Sequence, residues 1–313
     1  MASDVEAPTA RRVGSVRLPA VPLSWVRPIL IANLVGEVGI VVTGGIVRLT
    51  SSGLGCPTWP ECVPGSFVPV PHQEEGIHKL IEFGNRTLTG VVGMLALAAL
   101  YAVFTRLPHR RPLHWLGVGI IAGILGQAVV GGIAVRLTLN PTIVASHFLI
   151  SMVLVALSTM LVRGGEDVEP GIRRLLVPPL VARLALLCVG VAAVVLVLGT
   201  VVTGSGPHSG DAVQPARTGF DPRSVAWLHA DVVMLFVGLV VAVVVAVALT
   251  SESVRAKRTW RAVLVVTLLQ GVVGYAQYFT DLPEALVAVH MLGASLLVVV
   301  VTLGVLNLRA HPI

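Results

Sequence analysis

Charge is scarce in this chain. Asp, Glu, Lys and Arg make up 12% of its 313 residues, against 55% hydrophobic residues and a mean hydropathy of +0.89. A soluble domain carries roughly 25% charged residues, so composition excludes one and places the chain in a bilayer. Aromatics amount to 5%, and no basic run has aromatics interleaved with it. The pI near 9.9 therefore reflects membrane topology and calls for no nucleic acid. Cysteine is rarer still, at three residues.

What the chain does have is long apolar runs. Crossing about 30 Å of hydrocarbon takes roughly 20 apolar residues, and such runs occupy 24–46, 79–104, 113–134, 142–163, 179–203, 225–250, 260–279 and 284–308. Eight spans are expected. Residues 1–22 are polar, carry Arg11, Arg12 and Arg17, and do not resemble a cleaved signal. One set of connections is rich in Arg and Lys: Arg27, then Arg106, Arg110 and Arg111, then Arg163, Arg173 and Arg174, then Arg255, Lys257, Arg258 and Arg261, and Arg309. The other set mixes Arg48, Arg136, Arg217 and Arg223 with seven acids. The positive-inside rule then predicts a multi-pass protein of the cell (plasma) membrane with both termini cytoplasmic.

An internal repeat organises the spans. The segment QAVVGGIAVRLTLNPTIVASHFL from Gln127 aligns without a gap on QGVVGYAQYFTDLPEALVAVHML from Gln270, and in each a His follows the Gln by twenty positions. VVTGG from Val41 echoes VVTGS from Val201. The predicted organisation is a cytoplasmic tail (1–23), an N-terminal four-helix half (24–163), a cytoplasmic linker (164–178) and a C-terminal four-helix half (179–308). Four spans per half give both halves the same orientation. The expected fold is thus an all-α integral membrane protein of two parallel-repeat four-helix bundles.

Among nine histidines, His147, His229 and His290 lie near the outer ends of spans, where an ionisable group is costly and points to function. His229 and His290, facing one another across a four-helix bundle, suit bis-histidine haem ligation. Zinc would want a third or fourth ligand that the C-terminal half scarcely offers. In the N-terminal half, IHKLIEFGNRTLTG shifted by 144 residues lays Asn85 on His229, so an Asn replaces the expected ligand while His147 stays. His78, Glu82, Asn85 and Thr89 fall on one helical face. Cys56 and Cys62, in the first outer loop, suit a disulfide; a structural staple and a redox-active pair are both open. His208 is either a contact near the second haem or an exposed loop residue, and Glu37 either a proton-path residue or a buried acid held by its neighbours.

Taken together, TGGIVRLTSSGLGCPTWPEC, IEFGNR, the Gln-to-His segment ending at His147, VVTGSGPHSGD, WLHAD and GVVGYAQYFTDLPEALVAVH resemble the haem A synthase family over nearly all of residues 24–308. The resemblance implies an enzyme converting haem O to haem A for terminal cytochrome oxidase, by oxidation of a porphyrin methyl to a formyl group. It implies a haem b on His229 and His290, substrate haem in the N-terminal half, a catalytic Glu82, and a cysteine pair at Cys56 and Cys62. The family's second-span pattern is Glu-x-x-His-Arg, where this chain has Glu82-Phe83-Gly84-Asn85-Arg86. His78 could substitute in part, or His147 could hold the iron alone. Arg86, Arg48 or Arg136 are the expected propionate partners. Haem O synthase, oxidase assembly factors and a quinone or other electron acceptor are the implied partners. Two rivals stand beside this: a quinone-linked haem b electron carrier that modifies no porphyrin, and a transporter, which predicts helices interrupted near the midplane.

Overall fold

The structure, a computed structural model, describes residues 10–13, 16–166, 174–211 and 213–310. Part of the expected tail, the middle of the linker with Arg173, and His311 lie outside the described residues. Among the described residues, eight helices of 23 to 29 residues are long and apolar enough to cross a membrane. They are α1 (Leu23–Leu49), α2 (His78–Arg106), α3 (Arg111–Arg136), α4 (Pro141–Gly165), α5 (Pro179–Ser205), α6 (Pro222–Thr250), α7 (Val254–Phe279) and α8 (Glu284–Leu306). Each expected span is met by one continuous helix, so this is a multi-pass membrane protein. Two short antiparallel ribbons accompany the helices: β1 (Ala10–Val13) with β2 (Val16–Pro19), and β3 (Arg174–Leu175) with β4 (Arg309–Ala310). Neither ribbon was expected, because runs of two to four residues leave no periodic signal.

Helix starts follow local chemistry. α4, α5 and α6 begin with Pro, whose missing N–H costs nothing at a first turn. Asn140, Asp221 and Ser253 cap α4, α6 and α7 by accepting from Thr142 N (3.0 Å), Ser224 N (2.8 Å) and Ala256 N (3.2 Å).

Within the N-terminal half, α1 packs on α2, α2 on α3, α3 on α4 and α4 back on α1; α5 to α8 repeat the ring. Each ring has its own apolar core, one around Leu30, Val103, Ile120 and Leu161, the other around Phe236, Val240, Val243 and Trp260. The repeat reaches the backbone. Thr138 and Leu139, in the α3–α4 turn, have positive φ, and so do Asp281 and Leu282, each 143 positions on, in the α7–α8 turn. Left-handed backbone is uncommon outside glycine, so its recurrence at matched positions marks one turn used twice. Leu139 N donates to Ala134 O and Leu282 N to Gln277 O, both at 2.8 Å.

The halves meet where α8 lies against α1 and α4, and α4 against α5. Gly45 on α1 admits Met291 of α8, since any side chain there would overlap the Met291 thioether. Polar ties cross the same seam. Arg163 Nε donates to Asn307 Oδ1 at 2.8 Å, and Arg48 donates to the carbonyls of Thr203 (2.9 Å) and His208 (2.5 Å). Outward-facing Trp115, Leu180 and Leu249 are exposed, as suits surfaces that lipid covers.

Candidate functional site

The loops α1–α2, α3–α4, α5–α6 and α7–α8 share one end of the molecule, and a cavity of about 1090 Å³ opens beneath them. All eight helices line it, so the residues expected at two separate sites border one continuous space. His147, His229 and His290 all line it, with Asn85 and Glu82. Among the described residues, eight buried side-chain N or O atoms have no hydrogen-bond partner, and six of them belong to residues of this cavity: Glu37 Oε1, Gln127 Oε1, Gln277 Oε1 and the Nδ1 atoms of the three histidines. Unpaired buried polar atoms are costly.

The twenty-residue Gln-to-His spacing has a physical cause. Gln127 Nε2 donates to the backbone carbonyl of His147 at 2.8 Å, and Gln270 Nε2 to that of His290 at 3.0 Å. In each half the penultimate helix thus grips the histidine's own turn on the last helix. A second device concerns glycine. A Cβ placed at Gly131, Gly199 or Gly274 would come within 3.4 Å of the ring Cε1 of His147, His229 or His290 respectively. Each ring lies on bare backbone of the preceding helix. Asn85 takes the fourth place, with its Nδ2 3.8 Å from the Cβ position of Gly44 and its Oδ1 accepting from Thr43 Oγ1 at 2.8 Å.

Glu82 is buried and holds the disulfide loop from below. Cys56 N donates to its Oε2 at 2.6 Å, while Arg86 donates to its Oε1 through Nε (3.1 Å) and Nη2 (2.6 Å). The remaining Arg86 donors go to the carbonyls of Cys56 (2.8 Å), Thr58 (3.1 Å) and Glu61 (3.4 Å). The Cys56 and Cys62 sulfurs are bonded at 2.00 Å, and both residues are fully buried. Trp59, between them, lies flat over Gly132, where any side chain would clash with its ring. The loop is therefore a roof over the N-terminal part of the cavity, anchored on one ion pair.

Several expected site residues sit elsewhere. His78 is outside the cavity lining, its Nδ1 bonded to Ser52 Oγ at 2.8 Å, because it occupies the first turn of α2 above Glu82. Arg86 lines the cavity, yet its five N–H groups are all engaged by protein acceptors, which leaves none for a propionate. Arg136 covers the Trp59 ring at 5.8 Å and donates to Trp59 O at 3.0 Å. Arg48 borders the cavity but spends donors on the seam. His208 lies in the α5–α6 loop beside Glu284, 3.6 Å away at the start of α8. Gln127, Gln270 and the three glycines were missed as site residues. The repeat carried their signal, since it aligns both the glutamines and Gly131 with Gly274.

The fold is that of an eight-helix membrane protein in which histidines from matched positions border one largely apolar cavity. Comparison with known families agrees: the model of the cytochrome oxidase assembly protein family COX15-CtaA matches residues 27–213, more than half of the sequence. The chain belongs to that family. The matched residues take in Glu82, Asn85 and His147 and end before His229. Similar curated proteins are named heme A synthase: one from Lysinibacillus sphaericus is 36% identical over 124 residues, 39% of each chain. One from Exiguobacterium sp. is 30% identical over 145 residues, 45% of this chain and 47% of its own. A third, from Shouchella clausii, is 33% identical over 137 residues, 43% of this chain and 44% of its own. The chain thus matches less than half the length of these relatives.

Proposed function

We propose that this protein is a haem A synthase, oxidising a methyl group of haem O to a formyl group to supply haem A to a terminal oxidase. The observation that carries the reading is the set of three histidines, each lying on a glycine of the preceding helix and all bordering one cavity. No group of three or more His, Cys, Asp or Glu able to hold a bare metal ion occurs among the described residues. Paired imidazoles in this setting would suit the iron of a porphyrin. The relatives' name, heme A synthase, supports the same assignment.

His229 and His290, in the C-terminal ring, would hold a resident haem b. Such a group supplies one-electron transfer when bound. The substrate haem O would lie in the N-terminal ring with His147 as its iron ligand and Asn85 on the opposite side, beneath the roof formed by the Cys56–Cys62 loop. Converting a methyl to a formyl group replaces two hydrogens of the carbon by one oxygen; with water as the oxygen source this releases four protons and four electrons, which must leave the site. Glu82 is the group placed to act on the protons. An ionised carboxylate has about four acceptor positions, and Arg86 and Cys56 take three. One position on Oε2 stays open to a proton or to developing positive charge near the reacting carbon. Arg86 orients Glu82 and anchors the roof. Arg136, which lies over Trp59 outside the cavity lining, would be the expected propionate partner whose protein hydrogen bond leaves donors over.

The positive-inside distribution supports a plasma-membrane orientation with both termini cytoplasmic and the disulfide loop outside. A haem O synthase would act upstream, oxidase assembly factors downstream, and a quinone or similar carrier would accept the electrons. The eight helices run without interruption, which gives no support to transport. A bare electron carrier leaves Glu82, Arg86 and the roof unused.

The test is haem extraction and chromatography after coexpression with a haem O source. Wild type should yield haem A and haem b, His290→Ala should lose haem b, and His147→Ala should lose haem O and haem A. Glu82→Gln should retain haem O and form no haem A. Haem b alone in every sample would sink the synthase reading and leave the electron carrier.

A further inference from the structure

Glu37 is the one buried acid of the cavity that the proposed chemistry does not use. It is 2% exposed in the middle of α1, and its Oε1 has no partner. Seven residues separate it from Gly44, the position level with Asn85, which places it about 10 Å deeper along the helix axis. The cavity wall around it is apolar, with Ile40, Val41, Val92, Ile124 and Leu154. Asn33, one turn further in, donates to Ser158 Oγ at 3.0 Å and makes no side-chain hydrogen bond with Glu37. The cationic residues of the wall, Arg48 and Arg86, lie at the loop end and are engaged there.

A second atom has the same deficit. Gln127 donates both to His147 O and to Ser151 Oγ (2.5 Å), while its Oε1 is buried without a partner. Glu37 of α1 and Gln127 of α3 thus both border the N-terminal part of the cavity, each with one side-chain oxygen that no protein donor meets. Leaving a buried acceptor unmet is costly. A neutral hydroxyl is the cheapest donor to bring into an apolar wall, because a cationic amine would forfeit far more hydration.

We propose that Glu37, assisted by Gln127, is a subsite for a hydroxyl group borne by the substrate porphyrin on the rim that faces away from the disulfide loop. This rests on the haem O reading, since haem O carries a hydroxyl next to its isoprenoid tail and protohaem does not. The subsite selects the alkylated, hydroxylated porphyrin over the far commoner protohaem. It does so by a site-to-hydroxyl bond, the kind of contact that discriminates most strongly when the analogue lacks the group.

The experiment is an absorbance titration of the purified protein, with its C-terminal haem in place, in lipid nanodiscs. Haem O and protohaem are titrated separately against wild type, Glu37→Leu, Glu37→Gln and His147→Ala. Wild type should bind haem O at least about tenfold more tightly than protohaem. Glu37→Leu should remove most of that preference by weakening haem O alone, and Glu37→Gln should keep part of it. Equal weakening of both haems by Glu37→Leu, or no change in either, overturns the subsite while leaving the haem reading intact. Failure of both haems to bind wild type at His147 overturns the two together. A parallel titration with a short-chain quinol tests the rival occupant. Loss of quinol binding in Glu37→Leu, with haem O and protohaem bound equally by wild type, overturns the assignment to the porphyrin.

Discussion

The side-chain amide of Gln270 donates to the backbone carbonyl of His290 at 3.0 Å, from the helix before. That contact ties the position of a proposed iron ligand to a residue that never touches the iron. A hydrogen bond of this kind contributes about 1 kcal/mol. Gln270→Leu should therefore weaken haem b retention by roughly fivefold and broaden its low-spin resonance signal, with the helical content unchanged. An unaltered resonance signal and unaltered retention would show that the contact positions nothing.

Gly199 supports the ring of His229, and a Cβ there would come within 3.4 Å of its Cε1. Gly199→Ala should lower haem b occupancy in part, and Gly199→Leu should abolish it, because a branched side chain must displace the imidazole. Gly190, on the same helix, has nothing within 4 Å of its Cβ position, so Gly190→Leu is the control. Haem content per protein, read by absorbance, decides; equal loss in both variants would assign the effect to the helix and not to the ring.

Removing Arg86 strands the buried Glu82 carboxylate and cuts the anchors of the Cys56 loop. Breaking one side of a buried pair costs about 3 kcal/mol or more. Arg86→Gln should lower thermal stability by that order, whereas Glu82→Gln with Arg86→Gln should recover part of it and form no haem A. Full haem A formation by the double variant would remove both residues from the chemistry.

Outside the membrane-spanning segments, Asp221 caps α6, the helix of His229. Its carboxylate accepts from Ser224 N (2.8 Å) and Ser224 Oγ (2.7 Å), and these bonds hold it below the usual carboxylate range. A folded-state depression of this sign stabilises above the unfolded pKa and is lost as pH falls through the folded one. Protection of the first-turn amides of α6, taken relative to their intrinsic exchange rates, should therefore fall on acidification into that range, and Asp221→Asn should flatten the response. Protection independent of pH in wild type would show that the cap is not charged.

Much of this architecture was legible in the order of residues. Apolar runs of spanning length leave no alternative to helices, because hydrocarbon offers the backbone no other partner. The gapless repeat around Gln127 and Gln270 predicted paired four-helix units, and the matched left-handed turns at Leu139 and Leu282 follow the same register. The histidines that the repeat singled out do line the cavity. His78, by contrast, shares a helical face with Glu82 by periodicity. It lies one turn nearer the helix start, where the loop supplies Ser52 as its partner. Arg86 is an expected propionate partner in the sequence and is saturated in the fold, since three carbonyls of a loop more than twenty residues away converge on it.

The sequence by itself determined that the chain spans a membrane eight times, that its halves are copies, and which histidines stand at equivalent places. These follow from hydration cost and periodicity, which act along the chain. Only the tertiary structure decided that the two sets of polar residues border one cavity, that glutamines grip the histidine turns, that glycines make room for the rings, and that Glu37 and Gln127 face that cavity unpaired. Those relationships join atoms on different helices, and helix packing, which periodicity only constrains to a face, sets which side chains meet.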